Sequence, residues 1–131
     1  MKYLLDTAVL IWSLSEPEKL NDSALEVLSN GREEIYLSAV SAWEIVIKSS
    51  LGKLRLPNPP ERYVPSRMTV LGLRPLHITH PHALAVSGLP LYHQDPFDRL
   101  LIAQARSEDM VVMTTDHQFS KYPVQTLWCG K

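Results

Sequence analysis

The sequence predicts an α/β fold in three layers, a central parallel sheet with helices on both faces, and two observations carry that expectation. Short apolar runs of strand length alternate with stretches of helical period at spacings that suit crossover connections. Two of those runs also end alike, in LLDT at Leu4 to Thr7 and VVMTTD at Val111 to Asp116. Parallel sheets carry their sites at strand C-terminal ends, so Asp6 and Asp116 are expected to face one crevice.

In chain order, Tyr3 to Leu5 reads as a strand and Val9 to Leu14 as a helix. A second helix fits Asp22 to Asn30, with Asn21 or Asp22 as N-cap, Ala24, Leu25 and Leu28 apolar, and Gly31 just past its end. Ile35 to Ser38 reads as a strand and Val40 to Leu51 as a helix closed by Gly52. From Leu54 to Pro65 the four prolines at 57, 59, 60 and 65 predict a loop, leading into a short helix near Arg67 to Leu71. Leu73 to Ile78 fits a strand and His82 to Val86 a short helix. A helix is expected from Asp95 through Ala105, then a buried strand at Met110 to Met113 and a last strand at Val124 to Leu127. No internal repeat or low-complexity tract interrupts this order, and 131 residues suit a single domain, 1–131.

Composition removes several classes of function. Apolar residues at 45% and charged residues at 21% match ordinary globular proteins and not disordered chains. One cysteine, Cys129, excludes a disulfide framework or a cysteine zinc site within one chain, and favours a reducing, cytoplasmic setting. No apolar run approaches the roughly 20 residues that cross a bilayer, so no membrane span is expected, and the N-terminus shows no signal-peptide pattern. A net charge of -1 argues against binding nucleic acid by overall positive charge. Acids dominate from Glu16 to Glu34, whereas Lys48, Lys53, Arg55, Arg62, Arg67 and Arg74 face only Glu61 in the next basic stretch. The bland reading is two solvated faces, and the functional one is a basic strip that contacts phosphates.

Four acids stand out. Asp6 and Asp116 each follow a strand, where an aspartate commonly caps the next helix. On the helix from Val40, the apolar stripe is Val40, Trp43, Ile47 and Leu51, which leaves Glu44 at its margin, either near burial or in an i, i+4 pair with Lys48. In HQDPFDRLLIAQA, Asp95 suits the N-cap and Pro96 the first helical position. Asp98, however, shares a face with Leu101, Ile102 and Ala105, where a carboxylate needs a cation or must take a proton, and Arg99 points elsewhere. Oxygen-only ligands without clustered Cys or His suit Mg2+ or Mn2+ rather than zinc. His77, His80 and His82 lack the i, i+4 pairing of a helical zinc site, while His93 and His117 flank acids and could orient groups or bind phosphate. Hard cations held by carboxylates commonly hydrolyse phosphodiesters.

Taken in order, LLDT, SAVSAWEIVIKSSLGKL, HQDPFDRLLIAQA and VVMTTDHQF resemble the PIN-domain ribonucleases, in particular VapC-like toxins of type II toxin-antitoxin systems, from Lys2 to about Phe119. The resemblance implies a PIN-like α/β/α sandwich and a Mg2+-dependent endoribonuclease. It places the family's acids on Asp6, Glu44, Asp98 and Asp116, with Asp95 an additional acid. It further implies that Asp6, Asp98 and Asp116 hold the metal, directly or through water, that Glu44 assists the metal or the attacking water, and that Thr7, Ser38 and Thr114 give polar support. An RNA substrate, a homodimer and a cognate antitoxin whose C-terminal segment covers the site are implied as well. Two rivals remain: a phosphotransfer enzyme with Asp6 as nucleophile, which would want a second acid at position 8 where Ala8 stands, and a non-catalytic RNA- or protein-binding module.

Overall fold

The computed structural model describes residues 1–131. Its elements run β1 (Lys2–Leu5), α1 (Thr7–Ser15), α2 (Asp22–Ser29), β2 (Glu34–Ser38), α3 (Ala39–Ser50), α4 (Pro60–Leu71), β3 (Arg74–Leu76), α5 (His80–Ala85), α6 (Pro96–Glu108), β4 (Val111–Thr114) and β5 (Thr126–Trp128). Short 3-10 turns occupy Pro17–Lys19, Val86–Gly88 and His117–Lys121. The five strands form one parallel sheet in the order β3-β2-β1-β4-β5. The chain order therefore reverses direction beside β1, the place where open α/β sheets put their crevice.

Alternation along the strands feeds two cores. Leu5, Ile35, Leu37 and Met113 pack on one face with Val9, Leu10, Ala24, Leu28, Tyr63 and Val64 from α1, α2 and α4. Leu4 and Val112 pack on the other with Leu101, Ile102, Ala103 and Ala105 from α6. These are the three layers expected from the sequence. The helix α3 contributes Ile45 to the first core and Val40 to the second, so it lies across the C-terminal edge of the sheet. No helix is long and apolar enough to cross a membrane.

Most boundaries fall where the sequence placed them, because the caps act as read. Asn21 accepts the Ala24 amide at 2.9 Å at the start of α2, and Asp95 accepts the amides of Phe97 and Asp98 at α6. Gly31 and Gly52 adopt left-handed φ values of 70° and 71° beyond α2 and α3, which glycine tolerates without strain. Two expectations need correction. The proline-rich loop is shorter than expected, since α4 already starts at Pro60 and runs through Pro65. Pro60 is at home in a first turn, and Tyr63 and Val64 bury into the core from within the turn that Pro65 weakens. The strand expected over Leu73 to Ile78 shrinks to Arg74–Leu76, an edge strand whose Pro75 cannot donate to a neighbour.

Candidate active site

The register pairs Leu5 with Met113, so β1 and β4 end side by side. Asp6 leaves β1 with its amide bonded to the Met113 carbonyl at 2.9 Å, and its side chain makes no cap to α1. Capping therefore does not explain Asp6. Instead, Thr114 donates its hydroxyl to Asp6 Oδ2 at 2.9 Å, and the same Thr114 oxygen accepts the Asp116 amide at 3.0 Å. One threonine thus fixes the aspartates of both strands. Asp116 also accepts the Gln118 amide through Oδ1 at 2.9 Å, so it does cap the following turn while its Oδ2 stays turned to the site.

On the opposite wall, α3 and α6 add their acids. Glu44 is buried, with Oε1 accepting from Thr7 Oγ1 at 2.7 Å and Oε2 from Lys48 Nζ at 2.5 Å. Thr7 Oγ1 is also 3.0 Å from Ser41 Oγ. Burial and the lysine pair, weighed as alternatives from sequence, both hold, although the buried face of α3 is Val40, Ser41, Glu44 and Ile45 and not the expected stripe of Val40, Trp43, Ile47 and Leu51, of which Trp43 and Leu51 are exposed. Asp98 is buried on the face of Leu101, Ile102 and Ala105, as its spacing predicts, and no lysine or arginine pairs with it. Arg99 turns away to bind the carbonyls of Val86, Leu89, Pro90 and His93. It thereby fixes the loop that carries His93.

His93 Nε2 lies 3.0 Å from Asp98 Oδ2 and 3.4 Å from Asp116 Oδ2. Its Nδ1 accepts the Asp95 amide at 3.1 Å, so the neutral ring carries its proton on Nε2 and presents a donor to the two carboxylates. The ring nitrogen and the two carboxylates lie within 4.8 Å of one another, a spacing on which a metal could sit. In this tautomer, however, His93 is a bridge between acids and not a ligand.

The acids enclose a cavity of about 200 Å³, lined by Asp6, Thr7, Glu44, Lys48, Asp95, Asp98, Thr115 and Asp116, with Ala8 and Ile11. Larger hollows lie elsewhere, but none gathers more than one or two acids. Crowding shows in the protonation behaviour. Burial, followed by the charges of Asp6, Asp95, Glu44 and Asp116, pushes the Asp98 carboxyl up to about 8. Burial pushes Asp6 up to about 6, against the Thr114 hydrogen bond and the nearby Ala8 amide and with Glu44 and Asp116 adding to it. For Lys48, burial alone would lower the pKa, but the hydrogen bond and charge of Glu44, with Asp95 and Asp98 behind it, raise it overall.

Of the residues singled out from sequence, Asp6, Thr7, Glu44, Asp95, Asp98, Thr114 and Asp116 meet here. Ser38 does not. It caps α3 through the Val40 amide and donates to Gln104 Oε1 at 2.6 Å, and it does not line the cavity of the acids. The serine that does reach the site is Ser41, one helical turn before Glu44, and Thr115 and Lys48 complete the lining. Helical spacing from Glu44 would have found Ser41 and Lys48. His117 is exposed and stacks on Trp128 with ring centres 4.0 Å apart, and His82 is buried against Glu108. His77 and His80 are exposed.

The model of the PIN domain family matches residues 3–125. Ribonuclease VapC16 of Mycobacterium tuberculosis is 48% identical over 66 residues, a segment covering 49% of this chain and 47% of that protein. The chain thus matches about half the length of that relative. Among solved structures, VapBC2 of Rickettsia felis bound to a DNA fragment superposes with a TM-score of 0.72 at 16% identity, covering 97% of this chain and 98% of the other. FitAcB of Neisseria gonorrhoeae gives 0.70 at 24% identity, covering 95% and 96%.

Proposed function

The chain belongs to the PIN domain family, and on that premise we propose that it is a Mg2+-dependent endoribonuclease acting as the toxin of a type II toxin-antitoxin pair. The observation that carries the reading is the convergence of Asp6, Glu44, Asp98 and Asp116 from four distant stretches of sequence, with Asp98 buried and paired with no lysine or arginine. Like charges at such spacing repel, and a divalent cation relieves the repulsion. The donor set fits Mg2+ or Mn2+, because it offers carboxylate and hydroxyl oxygens and no thiolate.

Asp6, Asp98 and Asp116 would hold the cation. When bound there, a divalent ion supplies an activated water and offsets charge developing on the phosphate oxygens. Thr114 sets the orientation of Asp6 and the backbone of Asp116. Thr7 and Lys48 hold the buried carboxylate of Glu44 beside the cation site, where its charge would assist the attacking water, and His93 keeps Asp98 and Asp116 together. Asp95 contributes chiefly by starting α6, which aims Asp98.

RNA is the proposed substrate, and one domain over residues 1–131 suffices for the site. The likeness to ribonuclease VapC16 supports the activity, and with a toxin's role goes a cognate antitoxin, whose C-terminal segment would cover the acids. Exposed Trp43 and Val46 on α3, Leu51 just past its end and Val70 on α4 give apolar surface suited to such a partner or to a homodimer. A buried free thiol at Cys129 and the want of any other cysteine accord with a cytoplasmic protein. The test is cleavage of single-stranded and structured RNA with Mg2+, with EDTA, and by the Asp98→Asn protein. Cleavage only by the unaltered chain with Mg2+ supports the proposal, and equal cleavage in EDTA ends it.

A further inference from the structure

The acids of the pocket are not equally free to bind a cation. Both oxygens of Glu44 are committed, Oε1 to Thr7 at 2.7 Å and Oε2 to Lys48 at 2.5 Å. The Glu44 side chain is only 5% exposed, so it has no room to turn outward and exchange these partners for others. Asp95 Oδ1 is committed to the first amides of α6. Asp6, Asp98 and the Oδ2 of Asp116 lie on the other side of the cavity, and none of them meets a lysine or arginine. The cavity is thus divided between a half whose carboxylates lack a cation and a half that already contains one.

Lys48 is the only basic residue lining the cavity, and it belongs to the same helix as its partner, one turn further on. At 44% exposure its stem reaches in from solvent, while its ammonium sits against a buried carboxylate. An ammonium and a divalent ion bound to one carboxylate oxygen lie within a few ångströms of each other and repel, so each weakens the other's binding there. A second divalent ion on the α3 side would need Glu44, as Asp95 alone offers too few ligands for a hard cation.

We propose that Lys48 is a built-in counter-ion that withholds Glu44 from metal ligation and limits the pocket to one divalent ion per chain. This rests on the metal-dependent reading above and deepens it: Asp6, Asp98 and Asp116 form the cation site, and Glu44 stays a positioned acid beside it. The charge of Lys48 is what matters, not its stem, so arginine should substitute for it and glutamine should not.

Counting bound Mn2+ on the purified chain, by calorimetric titration and by the electron paramagnetic resonance signal of the free ion, tests the proposal without reference to activity. The unaltered chain and Lys48→Arg should each bind one ion. Lys48→Gln should bind two, the added one on Glu44, and the double variant Lys48→Gln/Glu44→Gln should return to one. Glu44→Gln alone should keep its single ion. Circular dichroism and melting identify any variant that fails to fold, and Lys48→Ala then replaces Lys48→Gln. Two ions on the unaltered chain, one ion on folded Lys48→Gln, or loss of the ion from Glu44→Gln each overturns the proposal. If the unaltered chain binds none while RNA is still cut in EDTA, the metal-dependent reading itself falls. Two ions with Mg2+-dependent cleavage leave that reading standing and remove only the role given to Lys48.

Discussion

On α6 the buried Leu101, Ile102 and Ala105 share their face with Asp98, whose sole close polar partner is the ring of His93. A carboxylate so placed has been positioned at a cost to the fold. Replacing it by asparagine should therefore separate activity from stability. Loss of a group one shell further out typically lowers metal affinity by about 10–100-fold, so losing this ligand should lower RNA cleavage by at least about 100-fold. The same change should raise the melting temperature of the metal-free protein at neutral pH, because the folded chain holds Asp98 largely protonated there while the unfolded chain ionises it freely. A residue needed only for folding would lower both. Protonation gives a second check. Asp98 rises from 3.8 to about 8 on folding, so the folded chain binds more protons than the unfolded one between those values. Stability carried by this group is full at low pH and declines as pH rises through that window. Melting in EDTA should thus occur at higher temperature at pH 5 than at pH 8, with a shallower slope for Asp98→Asn. A metal-free protein that gains stability from pH 5 to pH 8 would contradict the assignment.

At the level of elements, α6 shows how far sequence alone reaches. Asp95, Pro96 and the apolar spacing of Leu101, Ile102 and Ala105 define its start and its buried face, and the helix forms as they require. Elsewhere proline misleads, because its local cost in a helix says nothing of what neighbouring residues recover. Pro65 forgoes a backbone bond in α4, a loss of about 3 kcal/mol in an isolated helix. Burial of Tyr63 and Val64, at about 1.5–3 kcal/mol for each large apolar side chain, is enough to keep the turn helical. That gain depends on a core built from α1, α2 and the sheet, which no local pattern reveals. The cap at α6 can be measured directly. Asp95→Asn keeps an oxygen for the Phe97 and Asp98 amides and should change stability little, whereas Asp95→Ala should cost about 1 kcal/mol in denaturant unfolding. If the two variants unfold alike, Asp95 matters through its charge and not through its cap.

For the molecule as a whole, the parallel register of β1 and β4 places Asp6 beside Asp116, although 110 positions of sequence separate them in number. That convergence was legible, since two strands ending in aspartate must deliver them to one edge if the strands are parallel neighbours. What stayed illegible is rotation. Whether Ser38 or Ser41 faces the acids depends on how α3 lies across the sheet edge, and this is settled by Val40 and Ile45 packing into opposite cores. His93 is likewise set by how the loop before α6 folds back, with Arg99 clamped on its carbonyls, which no periodicity reveals. The global consequence of gathering the acids is that folding and cation binding share one free energy. An ion that binds only the folded chain stabilises it by about 2.7 kcal/mol at a concentration 100 times its Kd. At roughly 3–5 °C per kcal/mol for a chain of this size, the melting temperature should rise by about 10 °C. Ca2+ should give a rise as well, since it takes oxygen ligands in flexible geometry, and Na+ at equal ionic strength should not. The rise should vanish in the Asp6→Asn/Asp98→Asn double variant, which lacks the charge to hold the ion yet keeps the shape of the pocket. A rise that persists in the double variant would place the stabilising ion somewhere other than the crevice between β1 and β4.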